Sequence, residues 1–147
     1  MTNQLSVNIV MIEDDEGHAR LIEKNIRRAG ISNGLTHFVD GTSALEYLFN
    51  HDDGPGKNGP ALVLLDLNLP DMSGIEILTR IKSDATLRRT PVVILTTTDD
   101  QQEIQRCYDL GANVYVTKPV NYESFADAIR QLGLFLSVIQ VPDSEAS

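Results

Sequence analysis

Short apolar runs alternate with helical patterns along the whole chain. The runs that are short enough to form strands lie at 7–12, 35–39, 61–65, 91–95 and 114–116. Between them, apolar residues recur every three or four positions, which is typical of amphipathic helices. The run 61–65 is apolar throughout, as expected for a strand buried on both faces of a sheet. With no hairpin signal, this alternation predicts an α/β fold: a doubly wound, five-stranded parallel sheet with helices on both faces.

Residues that start or stop helices support these boundaries. Asp14 or Asp15 can cap the helix after the first strand, and Asp40 can cap the next one. Gly30 and Gly111 follow helical patterns and are typical of helix ends. The sequence shows no internal repeat or domain linker.

Length, charge and cysteine content narrow the function classes. A chain of 147 residues fits one domain, and the single cysteine excludes an internal disulfide. With 21 acidic against 12 basic residues, the net charge of -9 argues against nucleic-acid binding as the function, because an acidic surface repels phosphate backbones. Residues 1–6 lack a secretory pattern, and no apolar run is long enough to span a bilayer. We therefore expect a cytoplasmic protein without a membrane segment.

Polar side chains follow four of the five predicted strands. Glu13 and Asp14 follow the first, Asp66 the third, Thr96 the fourth and Lys118 the fifth. Asp66 alone fits an ordinary turn residue about as well as a functional one. Ligands of open parallel sheets bind beyond the carboxyl ends of the strands, where all of these residues are expected to meet. The set therefore predicts a functional site at this edge.

The residue types in this set indicate metal-assisted phosphoryl transfer. Clustered carboxylates repel one another unless a cation lies among them. Asp14 and Asp66, helped by Glu13 and an oxygen of Asn68, form an oxygen-rich set suited to Mg²⁺. The hydroxyl and the ammonium add donors for an anion, and one carboxylate can act as nucleophile.

With these residues, the chain resembles the receiver domain of two-component response regulators over residues 7 to 135. The resemblance rests on Glu13-Asp14, Asp66, Thr96, Tyr115 and Lys118-Pro119. It implies a flavodoxin-like sheet with strand order 2-1-3-4-5. The long loop before the third strand and the run 64–70 are similar to stand-alone regulators paired with phytochrome-type histidine kinases.

The resemblance also implies a role for each residue of the set. Asp66 would accept a phosphoryl group from a phosphohistidine of the kinase. Asp14 and Asp66 would bind Mg²⁺ directly, with the Asn68 backbone carbonyl as a further ligand and Glu13 acting through water. Lys118 would pair with the phosphoryl oxygens.

Two of these residues would form a switch. Thr96 would move to bind the phosphoryl group, and Tyr115 would turn inward, changing the face formed by the fourth helix, fifth strand and fifth helix. The expected protein is a phosphoacceptor that signals by protein contacts and catalyses only its own phosphorylation and dephosphorylation. Tyr115 could instead be an ordinary packing residue.

Two alternative functions use the same sheet edge. A magnesium-dependent phosphohydrolase would also form an aspartyl phosphate, but it needs an acid two residues after the nucleophile, where this chain has Asn68. A flavin site would need a hydroxyl-rich phosphate loop after the first strand, where acids stand instead. The acids of 51–60 do not have the spacing of a calcium loop.

Other reactive residue types fit ordinary structural roles. His18, His37 and His51 are interpreted as helix, edge and loop residues rather than phosphoryl carriers. Cys107 is expected to be a packed, inert thiol. Asp15 is interpreted as a helix cap in preference to a metal ligand.

The end of the chain carries more apolar residues than one helix stripe needs. They are Leu132, Leu134, Phe135, Leu136, Val138, Ile139 and Val141. We divide the chain into a receiver domain at 1–133 and an extension at 134–147 that ends in a disordered segment. The hypothesis is a homodimer through the last helix and residues 134 to 142, and the alternative is a tail that folds back on its own domain.

Overall fold

Strand and helix alternate along the part of the chain that the structure describes. The computed structural model describes residues 7–28, 30–50, 61–97 and 99–118, together with Glu123 and Asp127. The strands in these ranges are β1 (Asn8–Ile12), β2 (Leu35–Phe38), β3 (Ala61–Asp66), β4 (Val92–Thr96) and β5 (Val114–Thr117). The helices are α1 (Glu16–Arg28), α2 (Gly41–Leu48), α3 (Gly74–Ser83) and α4 (Gln101–Asp109).

All five strands form one parallel sheet in the order β2-β1-β3-β4-β5. This confirms the predicted fold class and strand order. The chain moves from β1 outward to β2 and then returns to place β3 on the other side of β1. The strand order therefore reverses beside β1 and β3, and the carboxyl ends of these two strands flank the crevice that such a reversal creates.

The sheet separates two apolar cores. In β3, Leu62 and Leu64 pack into the core that contains the buried face of α1. Val63 and Leu65 face the opposite core, which contains buried residues of α2, α3 and α4. Every residue of β3 is buried, because both faces are covered by helices. This explains the unbroken apolar run at 61–65.

The predicted helix ends are confirmed. Asp15 Oδ1 accepts a hydrogen bond from the backbone N–H of His18 at 2.9 Å, so Asp15 caps α1. Asp40 is the N-cap of α2, where its side chain accepts a backbone N–H of the first turn. Gly30 and Gly111 follow helices and have positive φ angles of 87° and 111°. Glycine is favoured at such angles because it has no Cβ atom.

Several predicted features lie outside the described residues. These are the loop 51–60 with His51, most of the predicted last helix, and the extension 134–147. The domain boundary at 133 and the dimer contact therefore stay predictions. Among the described helices, none combines the length and the apolar character needed to cross a bilayer.

Candidate functional site

The ends of β1, β3 and β5 bring three charged side chains into contact. Glu13 follows β1, Asp66 is the last residue of β3, and Lys118 follows β5. Lys118 Nζ lies 2.7 Å from Glu13 Oε1 and 3.2 Å from Asp66 Oδ2. The exposed fractions of the three side chains are only 0%, 3% and 6%, respectively. The predicted meeting of these distant segments is therefore present, and the group is largely shielded from water.

The second oxygen of Asp66 is held by the loop that follows β3. Asp66 Oδ1 accepts a hydrogen bond from the backbone N–H of Asn68 at 3.0 Å. The loop then folds back, and Gly74 N–H donates to the carbonyl of Leu67 at 2.9 Å. A Cβ atom at Gly74 would lie 2.4 Å from the carbonyl oxygen of Asp66, so only glycine allows this close return. The carboxylate is thus fixed at both oxygens.

The acids at this edge have the geometry of a cation site. One oxygen from each of Glu13, Asp14 and Asp66 lies within 4.8 Å of the others. The Lys118 ammonium contacts two of these carboxylates, those of Glu13 and Asp66, so the three acids and one ammonium together carry a net formal charge of -2. Hard oxygen ligands and this charge fit Mg²⁺ or a similar divalent cation. Asn68 is exposed beside the acids, and the role of its carbonyl oxygen stays a prediction.

Burial changes the proton affinity of the ion pair. Burial raises the pKa of Glu13, and the charge of Asp66 adds to this, against the hydrogen bonds from Lys118 and from the backbone N–H of Asp15. For Lys118, burial lowers the pKa, but the hydrogen bond that its ammonium donates to Glu13 and the charges of both acids outweigh burial and raise the pKa overall. The Lys118 ammonium therefore stays charged. Because the pKa of Glu13 is raised, additional positive charge nearby would stabilise its ionised form.

Thr96 lies at the same edge, on the strand between β3 and β5. It is the last residue of β4 and is 1% exposed. Asp66 pairs with Leu95 in the sheet register, so Thr96 stands one residue further toward the edge. The backbone carbonyl of Thr96 accepts a hydrogen bond from the N–H of Lys118 at 2.7 Å. Thr96 thereby fixes the backbone from which the ammonium extends.

Tyr115 lies further from the edge, in the middle of β5. It pairs with Ile94 in the register and is half-buried. Its ring meets the ring of Tyr108 on α4 edge-on, with centroids 5.8 Å apart and planes at 76°. The structure therefore places Tyr115 between β5 and α4, and its predicted movement stays a prediction.

Two histidines contact Glu13 or its partner, which the sequence interpretation did not anticipate. His18 Nδ1 lies 3.4 Å from Lys118 Nζ, and His37 Nε2 lies 2.7 Å from the backbone carbonyl of Glu13. A helix that begins four residues after the end of β1 must start at the carboxyl edge, and that signal places His18 near this edge without showing which side chains it contacts. Cys107 is buried, as predicted, and burial raises the pKa of its thiol.

Asp71 is a further residue that the sequence interpretation missed. Its two carboxylate oxygens accept hydrogen bonds from the backbone N–H groups of Gly41 and Thr42, both at 2.8 Å, and from the Thr42 hydroxyl. The Thr42 hydroxyl and the Gly41 N–H lower the pKa of Asp71 to about 2. Asp71 thus ties the loop after β3 to the first turn of α2.

Comparisons with known proteins show which family and which solved structures this chain is similar to. A family model described as the response regulator receiver domain matches residues 9–130. A solved receiver domain from Rhodospirillum rubrum is 71% identical, with 95% of this chain and 100% of that chain covered and a TM-score of 0.76. The bacteriophytochrome response regulator AtBRR is 36% identical, with 88% and 94% covered and a TM-score of 0.75.

A third relative is the response regulator Rcp1 from Synechocystis sp. It is 32% identical over 135 residues, which are 91% of this chain and 92% of Rcp1. The Mn²⁺-bound structure of Rcp1 covers 88% of this chain and 94% of that chain, with 33% identity and a TM-score of 0.71.

Proposed function

The chain belongs to the family of response regulator receiver domains, and from this membership we propose that Asp66 is its phosphoacceptor. A receiver domain signals by phosphorylation and partners a histidine kinase. The observation that supports Asp66 is its contact with Lys118 at 3.2 Å, in a buried cluster with Glu13. Asp66 is the acid of this cluster that also accepts the Asn68 N–H, so its carboxylate is held ready to react.

In the proposed reaction, a carboxylate oxygen of Asp66 attacks the phosphorus of a phosphohistidine on the kinase. A new O–P bond forms and the P–N bond breaks, and the departing imidazole nitrogen keeps the bonding electrons and takes up a proton. The ammonium of Lys118 contacts the phosphoryl oxygens during the transfer and balances part of their charge. The hydroxyl of Thr96 supplies a second donor from the neighbouring strand.

We propose Mg²⁺ as the cofactor, held directly by Asp14 and Asp66, by the Asn68 backbone carbonyl, and by Glu13 through water. The acid cluster and its two uncompensated negative charges support this set. When bound, the divalent cation neutralises charge on the carboxylates and on the phosphoryl group. The similar response regulator Rcp1 has a Mn²⁺-bound structure, which supports the binding of a divalent cation by this chain.

The proposed output is a change at α4 and β5. Thr96 moves toward the phosphoryl group and Tyr115 turns inward into the space that this opens. The contact between Tyr115 and Tyr108 supports a coupling to α4, because an inward turn of one ring removes the edge contact. In this proposal the chain catalyses only its own phosphorylation and dephosphorylation. It has no phosphohydrolase activity toward other substrates.

The proposed partner is a phytochrome-type histidine kinase in the cytoplasm. The similarity to the bacteriophytochrome response regulator AtBRR supports this pairing. The test is transfer of labelled phosphate from phosphorylated kinases of phytochrome and other types, with Mg²⁺ present. Transfer should be fastest from the phytochrome type, should disappear in Asp66→Asn, and should persist in Asp109→Asn, which makes the same change at an exposed position on α4. Equal transfer from all kinases would contradict the pairing.

We also propose a homodimer through the last helix and residues 134 to 142. The support is the apolar composition of this segment in the sequence. Sedimentation should give the mass of a dimer for the full chain and of a monomer for the chain cut after residue 133. An unchanged mass would contradict the dimer contact.

A further inference from the structure

The ammonium of Lys118 has three neighbours that can accept a hydrogen bond. Its Nζ lies 2.7 Å from Glu13 Oε1, 3.2 Å from Asp66 Oδ2 and 3.4 Å from His18 Nδ1. An ammonium has three N–H donors and no acceptor, so Lys118 can only donate to these neighbours. They come from three separate elements: the residue after β1, the end of β3 and the first turn of α1.

The contact fixes which ring nitrogen of His18 carries the proton. Because Lys118 can only donate, Nδ1 of His18 must accept, and the proton of the neutral ring stays on Nε2. The nearest carboxylate oxygens, on Glu13 and Asp15, both lie 4.0 Å from Nδ1, which is beyond hydrogen-bond distance. The ammonium is therefore the closest of the three charged neighbours.

His18 differs from the other two neighbours in exposure. The side chains of Glu13 and Asp66 are 0% and 3% exposed, whereas that of His18 is 43% exposed. His18 is thus the most exposed of the three neighbours of Lys118, and a phosphoryl donor must approach from solvent. Its own position is set by the backbone hydrogen bond to Asp15 that caps α1.

We propose that His18 is a positioning residue for phosphoryl transfer, whose Nδ1 keeps the ammonium of Lys118 on the solvent side of Asp66, where the phosphoryl oxygens arrive. This inference rests on the proposed function of Asp66. His18 forms and breaks no bond to phosphorus. Its effect is to reduce the number of positions that the long lysine side chain samples before the donor binds.

The test is the phosphorylation rate of the full chain with acetyl phosphate and saturating Mg²⁺. His18→Leu removes the acceptor at similar size and should slow the reaction about three- to tenfold, the range of one weak hydrogen bond. His18→Asn should restore the rate to within about twofold, because its Oδ1 is attached at the same carbon as Nδ1. Lys24→Leu, which places leucine at an exposed position of the same helix, should leave the rate unchanged.

A second measurement reports directly on the contact between His18 and Lys118. The ¹⁵N resonance of the Lys118 ammonium should shift in His18→Leu and return in His18→Asn. An unchanged rate in His18→Leu, a failure of asparagine to restore it, or a slower rate with no change at Lys118 would each overturn the positioning role. Mapping of the phosphorylated residue in the wild-type protein separates failure of the His18 role from failure of the proposed function. If the wild-type protein is not phosphorylated on Asp66, the proposed function itself fails.

Discussion

Glu13 and Lys118 form a buried ion pair, with 2.7 Å between Oε1 and Nζ, that connects the ends of β1 and β5. These strands are separated in the sheet by β3 and β4. The pair therefore crosses the carboxyl edge above β3, and Asp66 at the end of β3 contacts the same ammonium. One lysine thus neutralises part of the charge of two acids, and the remaining negative charge is available to a divalent cation.

The first prediction concerns metal binding by Asp14. At about 100 times its dissociation constant, Mg²⁺ should stabilise the wild-type fold by about 2.7 kcal/mol. Asp14→Asn removes one of the three clustered acids, so this stabilisation should largely disappear. Without metal, the variant should be as stable as wild type or up to about 1 kcal/mol more stable, because repulsion between acids is relieved. Urea unfolding with and without Mg²⁺ measures both effects.

The matched control for Asp14 is Glu16→Gln, which removes an exposed acid from the first turn of α1 outside the acid cluster. It should keep the full Mg²⁺ effect. A full Mg²⁺ effect in Asp14→Asn would show that Asp14 is not a ligand.

The second prediction concerns the pH dependence of the contact between Asp71 and α2. The folded-state pKa of Asp71 is about 2, below its ordinary value of 3.8. A lowered pKa means that the carboxylate contributes stability above about pH 4 and loses this contribution as pH falls through about 2. Asp71→Asn should therefore be less stable than wild type at neutral pH, and the difference should shrink only below about pH 4.

Carboxyl resonances give the direct measurement for Asp71. Its titration midpoint should lie near 2 in the wild-type protein and should rise in Thr42→Val, which removes the hydroxyl but keeps the backbone donors. A midpoint near the ordinary value in the wild type would show that the contact with α2 does not persist in solution.

The third prediction concerns the close return of the chain at Gly74. A Cβ atom there would lie 2.4 Å from the carbonyl oxygen of Asp66 and 2.7 Å from the Cα of Leu67. Since both are backbone atoms, Gly74→Ala should cost about 1–3 kcal/mol of unfolding free energy. Gly34→Ala, whose Cβ would lie 3.4 Å from the Asn8 side chain, should change stability by no more than about 0.5 kcal/mol. Equal stabilities for the two variants would contradict the packing of this loop.

The fourth prediction concerns the proposed switch. Phosphorylation should shift the ring resonances of Tyr115 and of Tyr108, because the edge contact between the rings is lost. Thr96→Ala lacks the hydroxyl that draws the strand end toward the phosphoryl group, so its phosphorylated form should show much smaller shifts. Thr96→Ser keeps the hydroxyl and should behave like the wild type. Full shifts in Thr96→Ala would show that the movement of Tyr115 does not depend on the hydroxyl of Thr96.

The fold and the main site residues could be predicted because they depend on short-range patterns and on topology. The fully apolar run before Asp66 predicted a strand covered on both faces, and parallel alternation then placed the ends of the strands at one edge. Asp66, Glu13 and Lys118 follow from this placement without knowledge of loop conformations.

His18 and Asp71 could not be found in the same way. The contact between Asp71 and Gly41 joins residues 30 positions apart, and that between Lys118 and His18 joins residues 100 positions apart. Each depends on how a loop or a helix start is oriented at the sheet edge, and hydrophobic periodicity carries no information on that orientation. A helix cap also looks the same in sequence whether or not its first turn faces a site.

The central claim is that phosphate is accepted by the acid at the end of β3. The most direct measurement is to phosphorylate the full chain with a small phosphoryl donor and Mg²⁺, reduce the acyl phosphate chemically to homoserine, and locate the homoserine by peptide mass spectrometry. We expect homoserine at position 66 alone, and none in Asp66→Asn. Homoserine at another position, or phosphate that remains bound to Asp66→Asn, would contradict the assignment.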